Sequence, residues 1–142
     1  MRGASALGQL IARYPQADVR VLVVWEPVIP SDTGPPTRSV RKPLFDPRVV
    51  EFWDEHRWLS PRMIERAAIM AREHGEEAPL GPEDIAWDII AMFPGDSSWA
   101  EPFPIPSWYG EQPVVHSLGP VEETLKKDAS PPDSQPFSEA RP

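Results

Sequence analysis

The sequence predicts an α/β fold in which helices cover both faces of a mixed sheet. Residues 19–25 are an almost unbroken run of apolar, mostly β-branched side chains, which is typical of a strand buried on both faces. Segments of helical and of strand periodicity also alternate along the chain. With 142 residues, 40% of them hydrophobic, the chain can bury one core, and we expect one domain at residues 1–127.

Four segments are predicted to be helical. Residues 4–14 and 61–74 have apolar side chains at helical spacing, and Ser60 is a candidate N-cap for the second of these. Residues 121–127 carry glutamates in the first turn and lysines in the last, as the helix dipole favours. A short helical segment is expected at 37–43.

Four strands are predicted. Residues 19–25 lead into a proline-rich loop, residues 49–53 have the β-branched and aromatic content of a second strand, and residues 85–93 have the apolar density of a core strand. Residues 114–118 can form a short last strand. We expect a disordered tail at 128–142, because proline, serine and aspartate are frequent there.

The segment 97–112 contains three prolines at alternate positions and four large aromatic side chains. This is too much proline for a regular strand and too much aromatic surface to leave in water. A stiff aromatic loop loses little entropy on binding and offers anchor residues, so it is the best binding candidate. The alternative is that these side chains only cover a sheet edge.

Composition excludes several classes of partner and site. The net charge of −8 argues against a nucleic-acid or anionic membrane surface. Without cysteine there is no disulfide, thiolate nucleophile or cysteine-bound metal. The three histidines lack the helical spacing that places two imidazoles on one face, and no nucleotide-binding glycine motif occurs. We expect no metal or cofactor, and a cytoplasmic location because no targeting signal is evident.

The order of the elements resembles a thioredoxin-like fold of the TlpA or peroxiredoxin-like type. The resemblance covers residues 4–127 and implies a three-layer sandwich, with a central mixed four-stranded sheet flanked by helices. In it, residues 85–93 and 114–118 correspond to the closing hairpin and residues 121–127 to the last helix. Such proteins place a reactive cysteine before the strand that 19–25 resembles, so this chain either lacks that site or is truncated upstream of Met1.

Candidate ligand-binding residues lie in or just after the predicted strands or in the aromatic loop. Acidic side chains beside indoles are suited to acid–base chemistry or to seating a cation or a sugar. The alternative is that the acids cap loops and helix starts while the tryptophans fill core and rim. Asp88 is a fourth acid that can join the cluster. The candidate residues are Trp25, Glu26, Ser31, Asp32, Asp54, Trp87, Trp108 and Tyr109.

Two functions are compatible with these observations. The first is a non-redox thioredoxin-like module that binds a protein or a small ligand at the strand-end loop or the aromatic loop. The second is a fragment or degenerate member of a thiol–disulfide oxidoreductase family whose cysteine motif lies upstream of Met1. A carboxylate-based hydrolase would need two of the four acids close together in a concave pocket. No complete catalytic motif is present, so we name no catalytic residue.

Overall fold

The computed structural model describes residues 2–78, 85–110 and 113–129. The helices are α1 (Arg2–Arg13), α2 (Arg38–Arg41), α3 (Leu59–His74) and α4 (Leu118–Ala129). The strands are β1 (Val21–Trp25), β2 (Val49–Trp53), β3 (Ala91–Met92) and β4 (Trp108–Tyr109), and 3₁₀ turns occupy Lys42–Leu44 and Val114–His116. In this part of the chain, no helix combines the length and the apolar character that crossing a bilayer requires.

The predicted central four-stranded mixed sheet, and with it the three-layer sandwich of the α/β fold class, is wrong. The described strands form two separate pairs, β1 parallel to β2 and β3 antiparallel to β4. The expected core strand at 85–93 is reduced to Ala91–Met92, because Asp88 has a φ of +51° that interrupts extended backbone. The last predicted strand forms instead the second 3₁₀ turn and the start of α4.

β1 occurs where the sequence predicts it, but it is not buried on both faces. Every residue of β1 is half-buried, since β1 has a single neighbouring strand among the described residues. In β2 the side chains alternate between half-buried and exposed, and Phe52 is 50% exposed. Phe52 pairs with Val24 in the parallel register. A continuous apolar run therefore forms a strand here without two covering layers.

The predicted helices are confirmed, with shifted ends. α1 and α3 begin about two residues earlier than expected. α3 ends at His74 and is followed by Gly75, which has a φ of +72° and whose N–H donates to carbonyl groups of the last turn. This is the geometry of a glycine C-cap. α4 begins at Leu118, so that Pro120 lies in its first turn, where proline costs no hydrogen bond. The predicted tail lies outside the described residues from position 130 onward.

Two clusters of buried side chains hold the elements together. In the first, Leu10 of α1 and Leu125 of α4 pack with Ala17. In the second, Met63 and Ala67 of α3 pack against Tyr109 of β4. The first cluster joins the two terminal helices, and the second places α3 against the short antiparallel pair.

The guanidinium of Arg48 connects the end of α1 to the start of β2. It donates hydrogen bonds to the carbonyl oxygens of Ile11, Tyr14 and Ala17 at 2.9, 2.6 and 3.3 Å. These lie at or just beyond the helix end, where carbonyl groups lack intrahelical partners. Asp46 accepts two hydrogen bonds from the same guanidinium, at 2.9 and 2.8 Å, which fixes its orientation.

The Asp46–Arg48 pair predicts a pH-dependent stability. Hydrogen bonds from the Arg48 side chain lower the pKa of Asp46 from 3.8 to about 2. Folding thus favours the charged form of Asp46. The contribution of this group to the free energy of unfolding is complete above its pKa in the unfolded chain and is lost as the pH falls towards 2. We expect Asp46→Asn to be less stable than the parent at neutral pH, with a difference that shrinks on acidification. Urea unfolding at several pH values measures the stability of both proteins, and Asp96→Asn is the control because Asp96 is exposed. A stability difference between Asp46→Asn and the parent that does not change with pH would contradict the prediction.

α1 approaches the first 3₁₀ turn so closely that Gly8 has no room for a side chain. A Cβ there would lie 1.9 Å from the carbonyl oxygen of Pro43. Because backbone cannot rotate away, we expect Gly8→Ala to lower the free energy of unfolding by about 2 kcal/mol or more. Gly119→Ala is the control, since nothing lies within 4 Å of its Cβ position, and it should be neutral or slightly stabilising. Thermal unfolding measures the stability of the two variants. An equal change in stability in both would show that α1 does not approach the first 3₁₀ turn so closely.

Candidate functional site

Two acidic residues meet where the parallel strands end. Glu26 directly follows β1 and Asp54 directly follows β2, and the last residues of the two strands, Trp25 and Trp53, pair with each other. The backbone N–H of Asp54 also donates to the carbonyl oxygen of Trp25 at 2.9 Å. Parallel strands end at a common edge, so both carboxyl groups lie at one place, beside the start of α3.

Both carboxyl groups accept hydrogen bonds from the first turn of α3. The N–H of Leu59 donates to Asp54 Oδ2 at 2.8 Å, and the N–H of Ser60 donates to Glu26 Oε1 at 3.1 Å. The hydroxyl of Ser60 donates to the other oxygen of Glu26 and accepts from the N–H of Ala86 at 3.1 Å. Ser60 is therefore not the predicted N-cap. Ser60 lies inside the helix. Glu26 and Asp54 accept hydrogen bonds from N–H groups of the first turn of α3, which have no partners within the helix.

The pKa values of the two acids move in opposite directions. Burial raises the pKa of Glu26, hydrogen bonds from Ser60 oppose this, and the charge of Asp54 raises it further. Burial also acts to raise the pKa of Asp54, but hydrogen bonds from backbone N–H groups and from Glu26 outweigh it and lower the pKa. Of this contacting pair, Asp54 is thus the acid that stays ionised most readily.

Asp54 lines an open groove of about 630 Å³ between the start of α3 and the aromatic loop. Trp58 precedes α3 and is 67% exposed, and Trp99 of the aromatic loop is 50% exposed. The groove therefore presents two indole rings and a carboxylate to solvent. Its other side chains include Leu59, Arg62, Glu101 and Phe103.

Contacts within the groove hold its aromatic and charged side chains in place. The ring of Trp99 packs against Phe93 and Phe103, with centroid distances of 4.8 and 5.2 Å. Arg62 donates to the carboxylate of Glu101 at 3.1 and 3.3 Å and to the carbonyl oxygen of Trp58 at 3.1 Å. Arg62 thereby connects the helical side of the groove to the loop side.

Two other predicted site residues, Trp25 and Asp32, form hydrogen bonds that stabilise the strand pair and a turn. The indole N–H of Trp25 donates to Glu51 at 2.8 Å, which joins the two parallel strands. The carboxylate of Asp32 accepts from the N–H groups of Val28 and Ile29 at 2.9 and 3.0 Å, and these bonds lower its pKa. Asp32 therefore closes its own turn, as the capping alternative describes. Ser31 is exposed in the same turn.

The predicted aromatic site residues occupy three different environments. Trp87 is 60% exposed and Trp108 is half-buried in β4. Tyr109 is buried in the second cluster; burial raises the pKa of its phenol, whose oxygen has no hydrogen-bond partner among the described residues. The fourth acid, Asp88, lies against α1, since its Oδ1 would be 2.7 Å from a Cβ at Gly3. The structure thus brings together Glu26 and Asp54, while Asp32 bonds within its own turn and Asp88 lies against α1.

Sequence reasoning missed Trp58 and Arg62. The sequence alone assigns no role to Trp58, and Arg62 is one of several charged residues in the predicted helix 61–74. The available signal was an indole placed among charged residues immediately before a helix. Trp99 and Phe103, by contrast, belong to the loop that the sequence already marked as a binding candidate.

Neither the arrangement of possible metal ligands nor comparison with known proteins assigns a function to the site. Within the residues that the structure describes, no group of three or more histidine, aspartate or glutamate side chains is placed to hold a metal ion. Comparison with protein-family models, curated proteins and solved structures found no match. The resemblance to thioredoxin-like proteins stays a prediction.

The network around Ser60 predicts a selective loss of stability. Ser60→Ala removes a donor to Glu26 and an acceptor for the N–H of Ala86, and leaving partly buried polar groups unpaired costs about 1–3 kcal/mol. Ser39→Ala is the control, because Ser39 is exposed and its hydroxyl bonds only to that of Thr37 among the described contacts; we expect a cost below about 0.5 kcal/mol. Urea unfolding measures both. A Ser60→Ala cost no larger than that of the control would contradict the structural role of the network.

Proposed function

We propose that this chain is a binding module that holds a partner protein in the groove between α3 and the aromatic loop. The observation that carries the proposal is the exposure of two tryptophans, Trp58 and Trp99, on one open groove. Tryptophan is enriched among the residues that supply most of the energy of protein–protein interfaces. Large indole surfaces left in water on a groove are therefore suited to anchoring a partner.

The shape of the groove favours a protein over a small ligand. Sites for small molecules enclose most of the ligand surface, whereas this groove is open on one side. A segment of a partner chain can lie along such a groove and contact both indole rings. Because Trp99 already packs against Phe93 and Phe103 without a partner, its ring has little side-chain entropy to lose on binding.

The contact between Glu26 and Asp54 differs from the carboxyl arrangement of a retaining glycosidase. Glycosidases of the retaining type hold their two carboxyl groups about 5 Å apart, one as the nucleophile and the other as the acid–base group. Here the two groups interact directly, and both oxygens of Glu26 bind Ser60. The alternative of an oxidoreductase fragment with cysteines upstream of Met1 stays a prediction that none of these contacts favours.

Selection of binding peptides tests the proposed groove. We expect a random peptide display screened against the full chain to yield binders whose dissociation constants rise by about tenfold or more in Trp58→Ala, because interface tryptophans commonly contribute this much. Trp87→Ala is the matched control, since Trp87 is similarly exposed but does not line the groove. Calorimetry with the selected peptides measures the affinities.

Two results would contradict the proposal. One is a screen that yields no binder. The other is a set of binders that lose as much affinity in Trp87→Ala as in Trp58→Ala. Thermal unfolding of both variants ensures that a loss of affinity is not a loss of folded protein.

A further inference from the structure

We infer that the groove receives a cationic side chain, a lysine or an arginine of the partner, between Trp58 and Trp99 and against the carboxylate of Asp54. This inference rests on the proposed function and specifies the chemistry of the partner. It depends on two properties of the groove, a carboxylate without a paired cation and two partly exposed indole rings, and on the net charge of the chain.

The carboxylate of Asp54 is charged but not neutralised by a cation of this chain. Arg62 is the basic side chain of the groove, and it pairs with Glu101 at 3.1 Å. None of the ion pairs between described residues includes Asp54. Its oxygens instead accept N–H groups from the backbone at the start of α3. These bonds orient the carboxylate without cancelling its negative charge, so a cation in the groove is attracted to it.

The two indole rings suit the same kind of ligand. The faces of an aromatic ring carry negative charge density, and tryptophan attracts a lysine ammonium or an arginine guanidinium more strongly than other aromatic residues do. Trp58 is 67% exposed and Trp99 is 50% exposed, and both residues line the groove that Asp54 also lines. An aliphatic stem ending in a cation can therefore contact the rings along its length and place its charge near the carboxylate.

The charges of the groove and of the whole chain disfavour an anionic ligand. Besides Asp54, the groove contains the exposed carboxylate of Glu101, and the arginine that an anion would need is already bound to Glu101. The chain has a net charge of −8, which raises the rate of encounter with basic partners and lowers it with acidic ones.

Titration with short peptides that differ in one side chain tests this inference. The probes are N-acetylated, C-amidated tripeptides of the form Ala-X-Ala, in which X is lysine, norleucine or glutamate. The indole N–H signals of the full chain report binding in nitrogen-15 correlated nuclear magnetic resonance spectra, with the six tryptophans assigned by single substitutions to phenylalanine. We expect the lysine peptide to shift the Trp58 and Trp99 signals, with an affinity about fivefold or more above that of the norleucine peptide.

Two substitutions separate recognition of the cation from general docking. Asp54→Asn keeps an oxygen that can accept the N–H of Leu59, and we expect it to reduce the preference for lysine over norleucine. Asp32→Asn is the matched control, because Asp32 closes a different turn, and it should leave the preference unchanged. If Asp54→Asn proves unstable, Trp58→Leu is a second test at a mostly exposed position, with binding read from the Trp99 signal, and it too should reduce the preference.

The outcomes distinguish this inference from the proposed function. Equal shifts with lysine and norleucine, tighter binding of the glutamate peptide, or no shift of Trp58 and Trp99 with any tripeptide would each overturn the cation inference. In all three cases the displayed peptides that depend on Trp58 would still support a protein-binding groove. If those peptides also fail to depend on Trp58, the proposed function fails as well.

Discussion

The hydrogen bonds from the first turn of α3 to Glu26 and Asp54 are the contacts on which the candidate site depends. The two acids follow parallel strands, so they lie at one edge of the sheet, and α3 begins at that edge. This places Trp58 immediately before the helix and Arg62 one turn into it, on the groove. Ser60 extends the same network to Ala86, in the segment that leads to β3. Loss of these bonds would separate the groove from the strands.

The two strand pairs are too small to organise the molecule by themselves. Two-stranded sheets are marginally stable in water, and β1 has no fully buried residue. Helix packing and polar contacts between distant segments supply what the sheets lack. Arg48 joins the end of α1 to the start of β2, and the second cluster joins α3 to β4. The groove lies where the second cluster and the strand ends come together, and Phe103 belongs to both the groove and that cluster.

Some residues of the site could be predicted from the sequence and others could not. The position of Asp54 after a strand and the aromatic content of the loop were visible in the sequence. The pairing of Glu26 with Asp54 was only one of several possible pairings among four acids, because spacing along the chain does not specify which loops meet. Trp58 and Arg62 could not be assigned to a site from their own segment, since their role arises from the approach of residues 99–103, about 40 positions away. Periodicity within a segment was predictable and contacts between segments were not; contact with Glu26 replaced the predicted capping role of Ser60.

The sequence by itself determined the helices α1 and α3, the positions of β1 and β2 and the absence of cysteine, because periodicity and composition can be read over a few residues. Tertiary structure alone decided that, among the described residues, β1 has one partner strand instead of a place inside a four-stranded sheet, and that the apolar run at 85–93 is mostly irregular. Burial is a property of what packs against a segment, so an apolar run cannot specify how many neighbours it has. The same reason explains why one carboxylate, Asp54, lies on a groove while Asp32 only closes a turn.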